Sequence, residues 1–313
     1  MNASWNYILR RILYLIPVVL GVCLIIFVLF NVVAGDPTVI LLGKHATVQQ
    51  MADLREQLGL NKPMIEQYFD VVRSAFTFDF GRSWASKQQI SEMMKNGAIP
   101  SLTLSIPAFF LSTVLAILIA LVVSFYRGKG IDLFVRITCI AGMSISSLAY
   151  ILFFQWLFAY KLGWFEISGY SYGFPDFVPY IVLPMIIWIV LSLGPDVRFF
   201  RTIILDEIYQ DYVRTARAKG LSESKILLKH VLRNAMIPIL TYTVVQLPFL
   251  ILGALLFESF FSIPGLGGMT LEALNASDFP VLKAMAVLSA IAYIVFTLIQ
   301  DILYTVVDPR VKL

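Results

Sequence analysis

The chain has 313 residues, of which 59% are hydrophobic and only 14% charged, with a net charge of +4. Soluble domains carry about 25% charged residues, so a mean hydropathy of +0.81 excludes an ordinary water-solvated domain and implies that lipid surrounds most of the chain. The two cysteines, Cys23 and Cys139, each stand alone in an apolar run, which excludes a disulfide framework and leaves no metal site to expect.

A bilayer core of about 30 Å needs roughly 20 apolar residues of helix, because a helix satisfies its own backbone in lipid. Six runs meet or approach that length: Ile12–Val33, Ile99–Tyr126, Ile137–Tyr160, Val178–Leu193, Ala235–Phe257 and Ala284–Gln300. The expected fold is therefore all-α and polytopic, with six transmembrane helices. The first run follows Arg10 and Arg11 but is too long for a signal peptide's core and lacks a small-residue cleavage site, so no cleavable leader is expected. Pro17, Pro107, Pro184 and Pro248 fall inside runs. Neighbouring helices can absorb the freed backbone groups, so they predict kinks and not breaks. The fourth run is short, and it can extend past Gly194-Pro195 with a bend there.

Lysine and arginine in the short loops orient the chain. With the N-terminus inside, the inner segments hold Arg10, Arg11, Arg127, Lys129, Arg136, the basic residues from Arg198 to Arg233, Arg310 and Lys312. The short outer loops hold only Lys161 and Lys283, beside Glu166, Asp176, Glu258, Glu272 and Asp278. Both termini are thus expected in the cytosol, and residues 34–98 form an extracytoplasmic insertion after the first span. Within it, Val48–Leu60 has helical spacing with Gly59 at its end, and Gly35-Asp36-Pro37 reads as a turn. Phe76, Phe78, Phe80 and Trp84 predict an aromatic cluster around Gly81, either a packed cap or a docking surface for an outer partner.

Two loops carry more information than the spans. Between the fifth and sixth runs lies Phe260-Phe261-Ser262-Ile263-Pro264-Gly265-Leu266-Gly267-Gly268, too apolar for a solvated loop. It predicts a tight turn and a short helix over Met269–Leu274, serving as a re-entrant element at a pathway mouth or as an interfacial anchor. Between the fourth and fifth runs, residues 203–235 predict a helical hairpin. Ile203–Lys219 reads as one helix, Gly220 marks a left-handed end, Ser222 suits an N-cap, and a second helix closes at Asn234 before a span near Pro238. Leu227, Leu228, Val231 and Ala235 mark one side of that helix, and Lys225, Lys229 and Arg233 another. A basic stripe beside a membrane fits an anchor to anionic lipid. Small residues at Ala216, Ala218 and Gly220 favour the close approach of another protein.

The hairpin closely resembles the cytosolic loop of binding-protein-dependent ABC importer permeases of the dipeptide/oligopeptide branch. The matching residues are Tyr212-Val213-Arg214-Thr215-Ala216-Arg217-Ala218-Lys219-Gly220-Leu221-Ser222, then His230, Leu232-Arg233-Asn234-Ala235 and Pro238. Arg10-Arg11, Gly35-Asp36-Pro37, Leu58-Gly59-Leu60, Phe80-Gly81, Phe261-Ser262 with Pro264-Gly265-Leu266-Gly267, and Asp308-Pro309-Arg310 extend the resemblance over the whole chain. The wider importer superfamily begins this loop with Glu-Ala-Ala and ends it with Leu-Pro. Here Arg214-Thr215-Ala216 and Leu232-Arg233 stand at those places, so ion pairs made by Glu-type loops do not transfer.

The resemblance implies a permease subunit of an ATP-driven importer of di- or oligopeptides, with glutathione or metal chelates such as nickel as alternative cargo. It also implies a second, homologous permease, two ATPase subunits that bind ATP and magnesium, and an extracytoplasmic solute-binding protein. It places ATPase coupling on Tyr212, Arg214, Ala216, Arg217, Ala218, Lys219, Gly220, Leu221, Ser222, His230, Arg233 and Asn234. No nucleic acid is expected among the partners.

The chain itself has no G-x-x-x-x-G-K-[ST], H-E-x-x-H or G-x-S-x-G pattern. No cofactor of its own and no catalysis are therefore expected, and its two histidines, His45 and His230, fall on opposite sides of the membrane. A stand-alone carrier is the competing reading. Proton-coupled carriers bury acids at mid-span, whereas Asp196, Glu258 and Asp301 fall at run ends. Ser144, Ser146, Ser147 and Gln155 on the third run and Thr241, Thr243 and Gln246 on the fifth are polar residues within spans; they predict helix–helix hydrogen bonds or a pathway lining. Phe261, Pro264, Gly265, Leu266 and Gly267 are the candidate outer gate.

Overall fold

The computed structural model describes residues 16–307 apart from Ala34, Asp36, Gly43–His45, Leu58 and Leu252. Arg10-Arg11, the start of the first run, His45 and the Asp308-Pro309-Arg310 motif lie outside these residues, as does the side chain of Asp301. Helices are the only regular elements among the described residues, beside a single bridge between Arg82 and Gln89.

Helix α1 (Ile16–Val33) closes on a π turn over Leu29–Val33. Short helices α2 (Pro37–Leu42), α3 (Val48–Gln57) and α4 (Met64–Thr77) build the insertion. Gly59, at φ +67°, follows α3 as expected. Tyr68, Val71, Val72 and Ala75 give α4 an apolar stripe that packs on Cys23 and Ile26 of α1. The Tyr68 hydroxyl also donates to the Leu20 carbonyl at 3.1 Å.

The second span is far longer than its apolar run: α5 covers Ile90–Phe125, so residues 90–98 of the insertion belong to it. Its prolines, Pro100 and Pro107, stay within the helix. The third span is not the single helix expected over Ile137–Tyr160. It divides into α6 (Gly130–Met143) and α7 (Ser147–Lys161), bent by 93°. Ser144–Ser146 make the break: Ser146 turns extended, at ψ 141°, and hydroxyl side chains offer the backbone alternatives to helix. The fourth span, α8 (Val178–Ile208), runs unbroken through Gly194-Pro195.

Two helical units follow. The first is α9 (Asp211–Ala218). The second, α10, is one continuous rod over residues 223–251, made of Glu223–Ile226, a π stretch Leu227–Val231 and Leu232–Ile251. Asn234 does not end it, and Pro238 sits inside it. The fifth span instead stops early, at Ile251, where Gly253 takes φ +79°. Short helices α11 (Leu255–Phe260) and α12 (Leu266–Asn275) and the last span, α13 (Phe279–Val307), complete the chain.

The most extensive pairing is α5 with α8, followed by α10 with α13. Contacts between loops define two ends of the bundle. At one end the Asp278 carboxylate, buried, accepts from the Ser83 hydroxyl and from the Trp84 and Ala85 amides, tying the insertion to the start of α13. At the other, the Arg127 guanidinium lies 5.0 Å over the Tyr209 ring, next to the hairpin. The expected aromatic cluster does not form as one unit. Phe78 meets Phe80, but Trp84 packs against Phe279, and Phe76 is exposed.

Candidate functional site: a capped hairpin and a glycine-lined re-entrant element

The hairpin is not one helix over Ile203–Lys219. It breaks after Tyr209, and Gln210 is extended at ψ 152°. The short helix α9 ends as Gly220 predicts, at φ +73°. The Gly220 amide donates to the Arg217 carbonyl at 2.9 Å, and the Leu221 amide to the Ala216 carbonyl at 3.3 Å. This is the Schellman pattern, which satisfies the last carbonyls of a helix with the next two amides. Leu221 closes the turn by packing inward on the core. Arg217 then spans the turn with two hydrogen bonds to Glu223, at 2.6 and 3.1 Å. That bond raises the Arg217 pKa further. Both side chains reach solvent, and such exposed pairs contribute about 0–1 kcal/mol, so the backbone turn and the packing dominate.

The packing fixes which residues are available. Val213, Ala216, Ile226, Leu227, Val231 and Ala235 are buried against Ile204 and Ile208 of α8 and Ala116 and Ala120 of α5. Ala216 therefore faces the chain's own core, contrary to its expected place on an approach surface. Leu228 is 59% exposed, also against expectation. Buried positions 227, 231 and 235 recur every four residues, wider than the α period, and the π stretch absorbs the difference. Arg214, Ala218, Lys219, Gly220, Ser222, Lys225, Lys229, Arg233 and Asn234 are exposed. Ser222 occupies the N-cap position without a side-chain bond. The Tyr212 hydroxyl donates to Glu207 at 2.5 Å; burial, helped by that bond, pushes its pKa up to about 12. His230 is half-buried, and its carbonyl accepts from the Asn234 amide.

At the opposite end the stretch of α11 and α12, expected as a re-entrant element or an interfacial anchor, is built around an acid read from sequence as a loop charge. Glu258 is 1% exposed. One carboxylate oxygen accepts from the Ser101 hydroxyl at 2.7 Å and the Ala254 amide at 3.0 Å; the other accepts from the Gly268 amide at 2.9 Å. Ser101 in turn accepts from the Leu266 amide at 2.8 Å. Gly268 and Leu266 are in the first turn of α12, so the carboxylate and the hydroxyl occupy donors that a helix start leaves unpaired, and the negative charge sits at the positive end of the helix. The glycines exist to allow this approach. A Cβ on Gly265 would lie 2.3 Å from the Glu258 carboxylate, and one on Gly253 2.5 Å from it. A Cβ on Gly267 would meet the Leu255 backbone at 2.7 Å. Phe261 is buried beside Ile151 and Leu183, and Leu266 beside Ile90 and Met94.

The candidate pathway residues lie on the third and fifth spans. The hydroxyls of Ser144, Thr241 and Thr243 donate to carbonyls one turn back in their own helices, at 2.8–2.9 Å. Ser147 is exposed at the bend of the third span. The Gln155 amide spans the Ile167 and Phe260 carbonyls, joining the α7–α8 loop to the re-entrant element. Gln246 lies beside the Tyr242 hydroxyl. Asp196 is not at a helix end: it is buried inside α8, and it accepts from the Tyr242 hydroxyl at 2.9 Å.

Sequence reasoning missed Glu258 and Ser101. A signal was present for the second, because Gly97, Ser101 and Ser105 recur every four residues along α5, the spacing of closely approached helix faces. For Glu258 the signal was an acid inside an apolar stretch immediately before the glycine-rich turn.

Among the described residues no group of acids, histidines and cysteines could hold a metal ion. A sequence model described as "Binding-protein-dependent transport system inner membrane component" matches residues 112–313. The N-terminal model, described as "Binding-prot-dependent transport system membrane comp, N-term", matches residues 4–104. The chain is 32% identical over 312 residues to the glutathione transport system permease protein GsiC of Salmonella typhimurium strain LT2, covering 98% of this chain and 99% of the relative. It is 31% identical, over the same shares, to the protein of that name from Escherichia coli strain K12.

Proposed function

The chain belongs to the inner membrane components of binding-protein-dependent transport systems, the permease subunits of ABC importers, and from that premise we propose that it carries peptides or peptide-like solutes inward and draws its energy through the hairpin of α9 and α10. As a family member it is a multi-pass protein of the bacterial inner membrane and is not itself catalytic. The two relatives are named for glutathione transport, and a modified tripeptide is within the proposed solute class.

The single observation that carries the coupling role is the closed turn at Gly220. It is rigid on its inner side, where Ala216 and Leu221 pack, and it leaves Arg214, Ala218, Lys219 and Lys225 on the outer side. A lipid anchor needs only charge; a force-bearing contact needs a turn that does not deform. In the proposed cycle two cytosolic ATPases close on ATP, and one of them grips this turn. A second, homologous permease takes the other ATPase, and an extracytoplasmic binding protein delivers the solute on the insertion side.

Because the hairpin joins α8 to α10 covalently, its displacement tilts both. The break at Gly253 separates that tilt from α11 and α12, which Glu258 and Ser101 fasten to α5. The re-entrant element then acts as an outer gate that opens by relative motion of α10 and α5.

The test is charge reversal on the outer side of the turn. Arg214→Glu with Lys225→Glu should lower the ATPase content of the purified complex from two subunits to one or none, while the permease still inserts and remains paired with its partner permease. Undiminished co-purification at physiological salt would remove the docking role from this turn.

A further inference from the structure

Between α6, α8 and α10 lies a cavity of about 600 Å³ that neither the hairpin nor the re-entrant element uses. Arg136, Arg198 and Arg201 line it together with Met143, Phe199 and Tyr242. Its volume is within the range of about 300–1,000 Å³ for small-molecule sites. The charges around it are unevenly committed. Asp132, buried, takes two hydrogen bonds from Arg201 at 2.9 Å, accepts the Gly128 amide at 3.0 Å and stands 3.4 Å from Arg136. Asp196 is occupied by the Tyr242 hydroxyl at 2.9 Å. The Arg198 guanidinium donates to the Met143 sulfur, at 3.5 Å, and no carboxylate pairs with it among the described residues. The Tyr242 ring, held at its hydroxyl by Asp196, stacks on Phe199 with centroids 4.3 Å apart, and Phe199 is exposed. The cavity thus offers one uncommitted guanidinium beside a flat aromatic wall.

We propose that this cavity binds the carboxylate of the transported peptide-like solute, with Arg198 as its charge partner and the Phe199–Tyr242 pair as the wall against which the solute's apolar part lies. The inference rests on the import reading given above. A guanidinium suits a carboxylate because its planar fork matches the two oxygens. The placement suits a step late in passage. Arg198 lies about ten residues before the end of α8, roughly 15 Å along the axis from the hairpin. The ring pair joins α8 to α10, the two helices the hairpin connects. Displacing the hairpin therefore moves the two sides of the cavity against each other, which gives a route for releasing the solute on the hairpin side.

The experiment uses the assembled importer in lipid nanodiscs. The probe is a photoreactive tripeptide, alanyl-benzoylphenylalanyl-alanine, as the free acid and as the C-terminal amide, with crosslinks located by mass spectrometry. The free acid should label the segments holding Met143 and Phe199. The amide, and the free acid on Arg198→Gln, should label them roughly tenfold less, as expected for loss of a charge-assisted bond. Arg198→Lys should retain part of the labelling. Equal labelling by acid and amide, labelling unchanged in Arg198→Gln, or crosslinks only outside these segments would each overturn the proposal. ATP-driven uptake of the free acid, measured in parallel, separates the two readings. Uptake without cavity labelling defeats this site and leaves the import reading standing. Cavity labelling that depends on Arg198, without ATP-driven uptake, supports the site and defeats the import reading.

Discussion

At the scale of single residues, Glu258 shows how an acid is kept in an apolar setting. A carboxylate taken out of water is costly unless its oxygens are satisfied, and here three donors converge on it. Removing it would orphan the Gly268 and Ala254 amides, at about 1–3 kcal/mol for each unsatisfied donor. The neighbouring glycines make a sharp contrast. Gly265→Ala drives a methyl group into the carboxylate, whereas a methyl group on Gly268 comes no closer than 3.5 Å to its neighbours. Thermal melting of the purified permease should therefore fall by several degrees for Glu258→Leu and for Gly265→Ala, and stay near the native value for Gly268→Ala. Equal melting of all three would show that the packing around Glu258 does not stabilise the fold.

At the scale of elements, the hairpin turn is a backbone device before it is a contact surface. The left-handed conformation costs a residue with a Cβ about 1–2 kcal/mol, with asparagine the least penalised. No neighbour comes within 4 Å of a Cβ at Gly220, so bulk is excluded there only by a partner. Gly220→Asn should accordingly keep the hairpin amides protected in hydrogen exchange and keep most solute-stimulated ATP turnover. Gly220→Trp should lose turnover, because it adds both strain and bulk. Full turnover in Gly220→Trp would place the ATPase contact elsewhere.

Gly220 was legible in the sequence because a helix end with a following glycine is a local signal, and the positions of the spans were legible because hydropathy is an average over many residues. The breaks at Ser144–Ser146 and Gly253 were not, since each stands inside an apolar run and hydropathy is blind to backbone dihedrals. Nor was the inward side of Ala216: α9 is short, and only its packing on α8 and α5 decides which small residue is covered. The motif residues of the re-entrant element were visible, but the acid they surround was not, because its partners Ser101 and Gly268 come from separate parts of the chain.

At the scale of the whole molecule, the chain has a hairpin end that presents exposed cations and an opposite end where the buried Glu258 and Asp278 gather backbone amides, and its sequence carries no G-x-x-x-x-G-K-[ST] pattern. The insertion is fixed to the start of α13 through Asp278 and to α1 through the packing of α4. On the proposed cycle, this permease moves solute only on energy delivered through the hairpin. The direct measurement is uptake of a labelled tripeptide or glutathione into proteoliposomes, with ATP supplied on the hairpin side. The fully assembled importer with its binding protein should accumulate solute against a gradient, the Arg214→Glu/Lys225→Glu assembly should not, and the permease alone should not with or without ATP. Accumulation by the permease alone under an imposed ion gradient would contradict the account and make the chain a self-sufficient carrier.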